Sequence, residues 1–375
     1  MATAYTPGLT IVERCRVARR RQLPLAGEVL VGAGDTVAAD QIIARTELPG
    51  DVELINVAHR LGCLPAELEE KMLKKEGDPV AQGEVIARST SFFGLFKTEC
   101  QSPVEGKVET ISKVTGQVLI RRPPIPIELT AYIPGTVSEV LEGRGAVIET
   151  EAAMVQGIFG IGGETLGEIL VAAEGPGEVL SAQDIGEEGA GKVLLGGKSA
   201  DLAALRRAQE VGAHALIVGG IDAADLEEFI GRKIGVAITG GEDLGLTLVV
   251  TEGFGDIAMS QRTFELIAGH EGRRASVNGA TQIRAGVIRP EVIMPLDGAG
   301  GGPAPVAGEE QPTLNIGDTV RIIREPLFGK LGRVCELPPE LMPIETEAKV
   351  RTIVVELENG ERVTLPRANV EVIVG

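Results

Sequence analysis

Residues able to do chemistry are few in this chain, and their spacing excludes more than it suggests. The three histidines, His59, His214 and His270, share no metal-ligand spacing. The cysteines, Cys15, Cys63, Cys100 and Cys335, are far apart and form no C-x-x-C pair, so neither a metal site nor a dithiol motif is expected. Scattered thiols fit a reducing cytoplasm. A Gly-rich stretch, GIFGIGGET (157–165), has Gly163-Glu164-Thr165 where a phosphate loop needs Gly-Lys-Ser/Thr, and Glu164 would repel phosphate. No nucleophile–base pair stands out, so no catalytic residue and no cofactor are assigned.

Three Gly-rich stretches carry hydroxyls and carboxylates just after apolar runs. Ligands of open α/β sheets bind beyond the carboxyl ends of the strands. The candidate small-molecule crevice is therefore Gly219, Gly220, Asp222, Thr239, Gly240, Gly241, Glu242, Thr251, Glu252 and Gly253. The alternative is that these are tight turns between strand and helix.

The elements that would position them alternate. KVLLGG, HALIVGG (214–220), GVAITGG (235–241), LTLVVTEGFG (246–255) and ASVNG (275–279) read as strands. SADLAALRRAQEVG, with Ser199 as its N-cap, AADLEEFIG (223–231) and IAMSQRTFELIAGH (257–270) read as helices. Continuous apolar strands between helices imply an open, mostly parallel α/β sheet over residues 151–296.

The net charge is −18, which argues against broad binding of phosphate backbones. Arg14, Arg16, Arg19, Arg20 and Arg21 form a local exception, read as a solvated strand edge or as a phosphate or acidic-partner patch. There is no apolar h-region and no apolar run long enough to span a bilayer, so neither a signal peptide nor a membrane contact is expected.

Residues 1–150 contain internal repeats. GDTVAADQIIART (34–46) recurs as GDPVAQGEVIARS (77–89), and GKVETISKVTGQVLI (106–120) as GTVSEVLEGRGAVI (135–148). Gly-Asp is a turn signal, and the Val/Ile positions alternate in strand fashion. A β-rich region of short hooks is expected, with a helical insert near 56–73, NVAHRLGCLPAELEEKML.

These motifs resemble the two half-motifs of the biotinyl/lipoyl-type barrel-sandwich hybrid, residues 73–90 the first half and 102–111 the second. In biotinyl domains the modified lysine lies seven residues before the Ser or Ala of the [SA]-P step. Here that step is Ser102-Pro103, which places Leu95 at the lysine position and Lys97 two residues late. The resemblance therefore implies an unmodified hybrid. Its tip, Phe92, Phe93, Leu95 and Phe96, is apolar and either folds onto a neighbouring domain or forms a docking knob for a partner.

DGAGGGPAPVAGEEQP (297–312) cannot build a core and reads as a flexible linker. After it, GDTVRIIREPLFGKLGRV (317–334) resembles the KOW motif of transcription elongation factors and ribosomal proteins, implying a C-terminal SH3-like β-barrel over 313–375. Asn359-Gly360 is a hairpin signal. The resemblance implies contacts to ribosome, RNA polymerase or RNA, with Arg321, Arg324, Phe328, Lys330 and Arg333 as candidates. The barrel holds more acidic than basic residues, which pulls toward a protein partner.

The expected function is a cytoplasmic, non-catalytic, multi-domain binding protein. Two alternatives stay open: a small-molecule-binding or enzymatic α/β body with the barrel as accessory, and a structural or assembly protein. No oligomeric state follows from the sequence.

Overall fold

The computed structural model describes residues 11–91, 96–232, 244–281, 288–296, 314–322, 327, 330–338, 341–343, 349–357 and 360–372. The chain is β-rich, with one sheet of 13 strands and others of six, four, three and two.

The Gly-Asp signal has a local physical basis. Gly34, Gly77 and Gly317 adopt φ of +90°, +93° and +97°, the left-handed region that glycine enters without steric cost. The following aspartate closes the turn. Asp35 accepts the Gly32 N–H at 2.7 Å, Asp78 the Lys75 N–H at 2.8 Å, and Asp318 the Asn315 N–H at 2.7 Å. Each hook then grips a distant strand by two backbone bonds. Gly34 N–H donates to Val137 O at 2.8 Å, and Val137 N–H returns to Asp35 O at 2.9 Å. Gly77 and Asp78 do the same with Val108, at 2.7 and 2.9 Å, and Gly317 and Asp318 with Val334, at 2.8 and 2.9 Å.

Those partners show how the repeats are assembled. Val37 pairs with Gly135, and Val80 with Gly106. The first Gly-Asp repeat thus joins the second Gly-x-Val repeat, and the second Gly-Asp repeat joins the first Gly-x-Val repeat. One module is nested inside another. The outer hairpin, Ile42–Leu48 against Ile125–Thr130, ends at Leu48 opposite Ile125. The inner hairpin, Val85–Ser91 against Phe96–Gln101, ends at Ser91 opposite Phe96. Residues 49–124 are therefore inserted at the end of the outer hairpin. Each module has its own core: Val37, Ile43, Ile133 and Ile148 in the outer, Ile55, Leu68, Ile86 and Ile120 in the inner.

The segment 56–73 begins with the helix Val57–Leu61. Asn56 caps it by accepting the His59 N–H at 3.1 Å, and Gly62 ends it at φ +64°. The 3-10 turn Pro65–Glu67 and the helix Leu68–Lys71 follow, burying Leu68 beneath the inner module.

The large sheet runs through both halves of the body. The strand Gly145–Gln156 pairs with Gly135–Leu141, with Ile11–Gln22 and with Glu291–Pro295, so the sheet passes residue 150 without a break. Glu164–Val171, Lys192–Leu195, Ala215–Ile221 and Thr247–Phe254 are parallel neighbours. Phe159–Ile161, Arg274–Asn278 and Glu291–Pro295 join antiparallel, making the sheet mixed. Every residue of Ala215–Ile221 is buried, as expected of a strand covered on both faces. Covering helices are Leu202–Glu210, Ala223–Ile230 and Gln261–Ala268. The first is capped by Asp201, which accepts the Ala204 N–H at 2.7 Å. Ser199, the expected cap, instead pairs in the short strand Ser199–Ala200. The expected strand 235–241 lies outside the described residues.

The C-terminal module has its own six-stranded sheet and a core of Val320, Ile322, Val334, Ile353 and Val355. Among the described residues none of its strands pairs with a strand of the body. The strands Lys349–Leu357 and Arg362–Pro366 form a hairpin that turns through Gly360 at φ +80°.

Candidate functional site

The carboxyl end of the strand Ala215–Ile221 is packed closely against backbone. Gly219 N–H donates to Gly197 O at 2.9 Å and Gly220 N–H to Lys198 O at 2.6 Å. A Cβ on Gly219 would lie 2.5 Å from Met259 N, and one on Gly220 would lie 2.2 Å from Gly255 O. These glycines let residues 255–259 cross directly over the strand ends. Asp222 caps the next helix, accepting the Ala224 N–H at 2.8 Å. The Thr251 hydroxyl donates to Val218 O at 3.3 Å. Gly253 pairs beside Gly220, at φ +145°. Thr239, Gly240, Gly241 and Glu242 lie outside the described residues.

Glu252 differs, because its partner comes from the C-terminal module. One carboxylate oxygen accepts the Ser260 N–H at 3.1 Å, and the other pairs with the Arg321 guanidinium. Arg321 also donates to Thr251 O at 3.2 Å. The two side chains are 3% and 6% exposed, so the ion pair is sealed from water. Two residues from separate candidate sets thus form one junction. Arg321 lies between Val320 and Ile322, which point into the module's core, and so projects from the opposite face. That alternation marks Arg321 as outward-facing; its burial comes from the body. Lys330 and Arg333 are exposed. Arg324 and Phe328 lie outside the described residues, as do Phe92, Phe93 and Leu95. Phe96 begins the descending strand of the inner hairpin, and Lys97 sits exposed on it opposite Thr90.

The arginine run is mostly internal wiring. Arg14 pairs with Glu151, Arg16 with Glu149, Arg19 with Glu291, and Arg21 with Glu164 through two bonds of 2.5 and 2.6 Å. Arg20 is exposed. A uniformly solvated edge is therefore not what the strand Ile11–Gln22 presents, because its acidic partners come from distant segments.

Tyr132 carries no local signal in the sequence. Its φ is +67°, and among the described residues it is the non-glycine residue with positive φ. The ring is buried, Arg21 stacks over it at 5.3 Å, and its hydroxyl donates to Glu291 at 3.3 Å. Burial first, then the Glu291 carboxylate, push the phenol well above its ordinary range. Burial also raises the Cys15 thiol. This network ties the first strand and Tyr132 of the outer module to the strand Glu291–Pro295.

Two recesses lie on the described surface. One of about 480 Å³ on the inner module is lined by Pro79, Lys107, Arg121 and Arg122. Arg121 is held there by Glu109 at 2.7 Å and Arg122 by Glu53 at 3.5 Å. The other, of about 300 Å³, lies between Ala38 and Pro134 of the outer module and Arg273–Ser276 of the sheet. His214 Nδ1 is 2.5 Å from Leu166 O and His270 Nδ1 is 2.8 Å from Leu266 O, both contacts of a structural kind. Among the described residues, no group of three or more His, Cys, Asp or Glu is arranged to hold a metal ion, and no helix is long and apolar enough to cross a membrane.

No family model matches the chain, and no curated protein matches it.

Proposed function

We propose that this is a cytoplasmic, non-catalytic binding protein whose C-terminal module is an SH3-like barrel of the KOW type. The barrel contacts the ribosome, the transcription machinery or a protein partner. The nested modules are barrel-sandwich hybrids that serve as unmodified building blocks of the body.

The observation that carries this reading is the independence of the C-terminal module. It has its own sheet and core, and it displays Lys330 and Arg333 to solvent. A self-contained unit with exposed cations is suited to making contacts in trans. The hybrids support the building-block role. In the outer one, the hairpin end that would bear a carrier lysine is opened at Leu48 and Ile125 to admit the inner module. In the inner one, Lys97 is held within a strand ladder.

The test is co-sedimentation of purified protein with ribosomes and with RNA polymerase at low salt, alongside a gel shift with RNA. Binding that weakens several-fold in a Lys330→Glu/Arg333→Glu variant, and with added salt, is expected. A protein that associates with none of these under low salt would sink the proposal.

A further inference from the structure

The four-stranded sheet of the inner module runs Val52–Asn56, Gln117–Arg121, Gly106–Ile111, Pro79–Val80, so Val52–Asn56 lies at its edge. The direction of its remaining backbone groups follows from the register. Arg122 N–H donates to Asp51 O at 2.9 Å, and bonded pairs alternate with non-bonded ones along an antiparallel ladder. Glu53, opposite Ile120, and Ile55, opposite Val118, therefore bond to the neighbouring strand. Val52 and Leu54 turn their N–H and C=O groups the other way, and Asn56 its N–H. Among the described residues no strand pairs along that side.

This edge lacks the protection that its counterparts have. Natural sheets blunt their edges with proline, lysine, bulges or very short strands. Pro79–Val80, at the opposite edge, has two residues and begins with proline. In the outer module Glu28–Val29 has two residues, and Ile125–Thr130 carries Pro126. Val52–Asn56 has five residues, VELIN, and pairs without a register shift. Its outward side chains are apolar at the centre: Val52 is 40% exposed and Leu54 54%.

We propose that this edge pairs with the same edge of a second copy of the chain, antiparallel, across a two-fold axis at Leu54. The register is self-complementary. Leu54 faces Leu54 of the second copy, and Val52 faces Asn56 of the second copy, so the residues with outward backbone groups meet one another. Glu53 faces Ile55 of the second copy, so no like charges stand directly opposite. Arg122, 3.5 Å from Glu53, offsets the approach of the two Glu53 carboxylates on the diagonal. Two four-stranded sheets thereby become one of eight. This self-match singles out a second copy over a strand of another protein, which would have no need of it. A five-residue pair spans about 17 Å, a small contact, so a dissociation constant on the order of 10 µM is expected.

Sedimentation velocity of the full chain tests this, with circular dichroism and thermal melts to confirm folding. The wild type should pass from monomer to a species of twice the mass between about 1 and 100 µM. Added salt should tighten the dimer, because each copy carries a net charge of −18. Leu54→Lys sets two ammonium groups face to face and should weaken it about tenfold. Leu54→Pro removes an N–H that the ladder to Gln117–Arg121 does not use, so it should fold and melt like the wild type yet stay monomeric. Directly opposed residues of a bonded pair stand about 5.5 Å apart at Cα, within reach of a disulfide. Under mild oxidation Leu54→Cys should therefore give a covalent dimer, whereas Val114→Cys, at a position 88% exposed, should give no more than the wild type. A chain that stays monomeric up to about 100 µM overturns the proposal and leaves the edge to a strand of another protein. A dimer unchanged by both Leu54→Lys and Leu54→Pro overturns it too, because the contact then lies elsewhere.

Discussion

Leu48 and Ile125 stand opposite one another at the last rung of the outer hairpin, as Ser91 and Phe96 do in the inner one. The inner module enters and leaves the outer one through that single rung. Its ends are therefore one strand spacing apart, about 5 Å.

Excision of the inner module follows from this spacing. Directly opposed residues of an antiparallel pair can be joined by a two-residue Asn-Gly turn. A chain with residues 49–124 replaced by such a turn is expected to keep the outer core and the large sheet. A cooperative thermal melt and a retained β-type circular dichroism spectrum would check this. A non-cooperative melt would mean that the outer module needs the inner one to fold.

Glycine substitutions should separate conformational cost from steric cost. A Cβ on Gly34 meets nothing within 4 Å, so Gly34→Ala loses only the ease of its φ of +90°, roughly 1–2 kcal/mol. Gly219→Ala forces a Cβ to within 2.5 Å of the Met259 amide nitrogen. Backbone must then move, and a loss of about 3 kcal/mol or more is expected. Urea denaturation of the two variants tests the order.

Alkaline unfolding should report on Tyr132. Its phenol is raised in the folded state, above an ordinary value of 10.0, because burial and Glu291 disfavour the phenolate. The unfolded chain therefore gives up that proton first as pH rises. The contribution is complete below about pH 10 and is lost as pH climbs toward the folded value. Tyr132→Phe should flatten the decline in stability above pH 10, as measured by denaturant midpoints across that range. An unchanged slope would show that the phenol does not drive it.

Much of the architecture was readable in short stretches. The runs around Ala215–Ile221 and Thr247–Phe254 announced buried strands, and the i, i+4, i+7 pattern of Ala204, Ala208 and Val211 announced a helix. Boundaries were less readable. Asp201 and Ser199 are both good caps, and only the path of the chain into the strand Ser199–Ala200 chose between them. The strand ends at Gly219 and Gly220 fitted both a crevice and tight turns, with turns the favoured reading. At these two glycines residues 255–259 cross close by, a contact made by backbone and invisible to side-chain reasoning.

Sequence alone determined the hooks. A glycine that takes positive φ and an aspartate that accepts an amide three residues back are local chemistry, and Gly34-Asp35, Gly77-Asp78 and Gly317-Asp318 all build the same turn. Tertiary structure decided which strand each hook grips, because Gly-x-Val repeats offer nearly the same edge and differ only in where the chain can bring them. It also decided the fate of the charges. Arg19 and Arg20 are neighbours in sequence, yet one is bound to Glu291 and the other faces water. Arg321 reads as a surface cation until Glu252, 69 residues earlier in the chain, meets it beyond the reach of solvent. Electrostatic pairing depends on distance in space and on exclusion of water, and neither is written in local sequence.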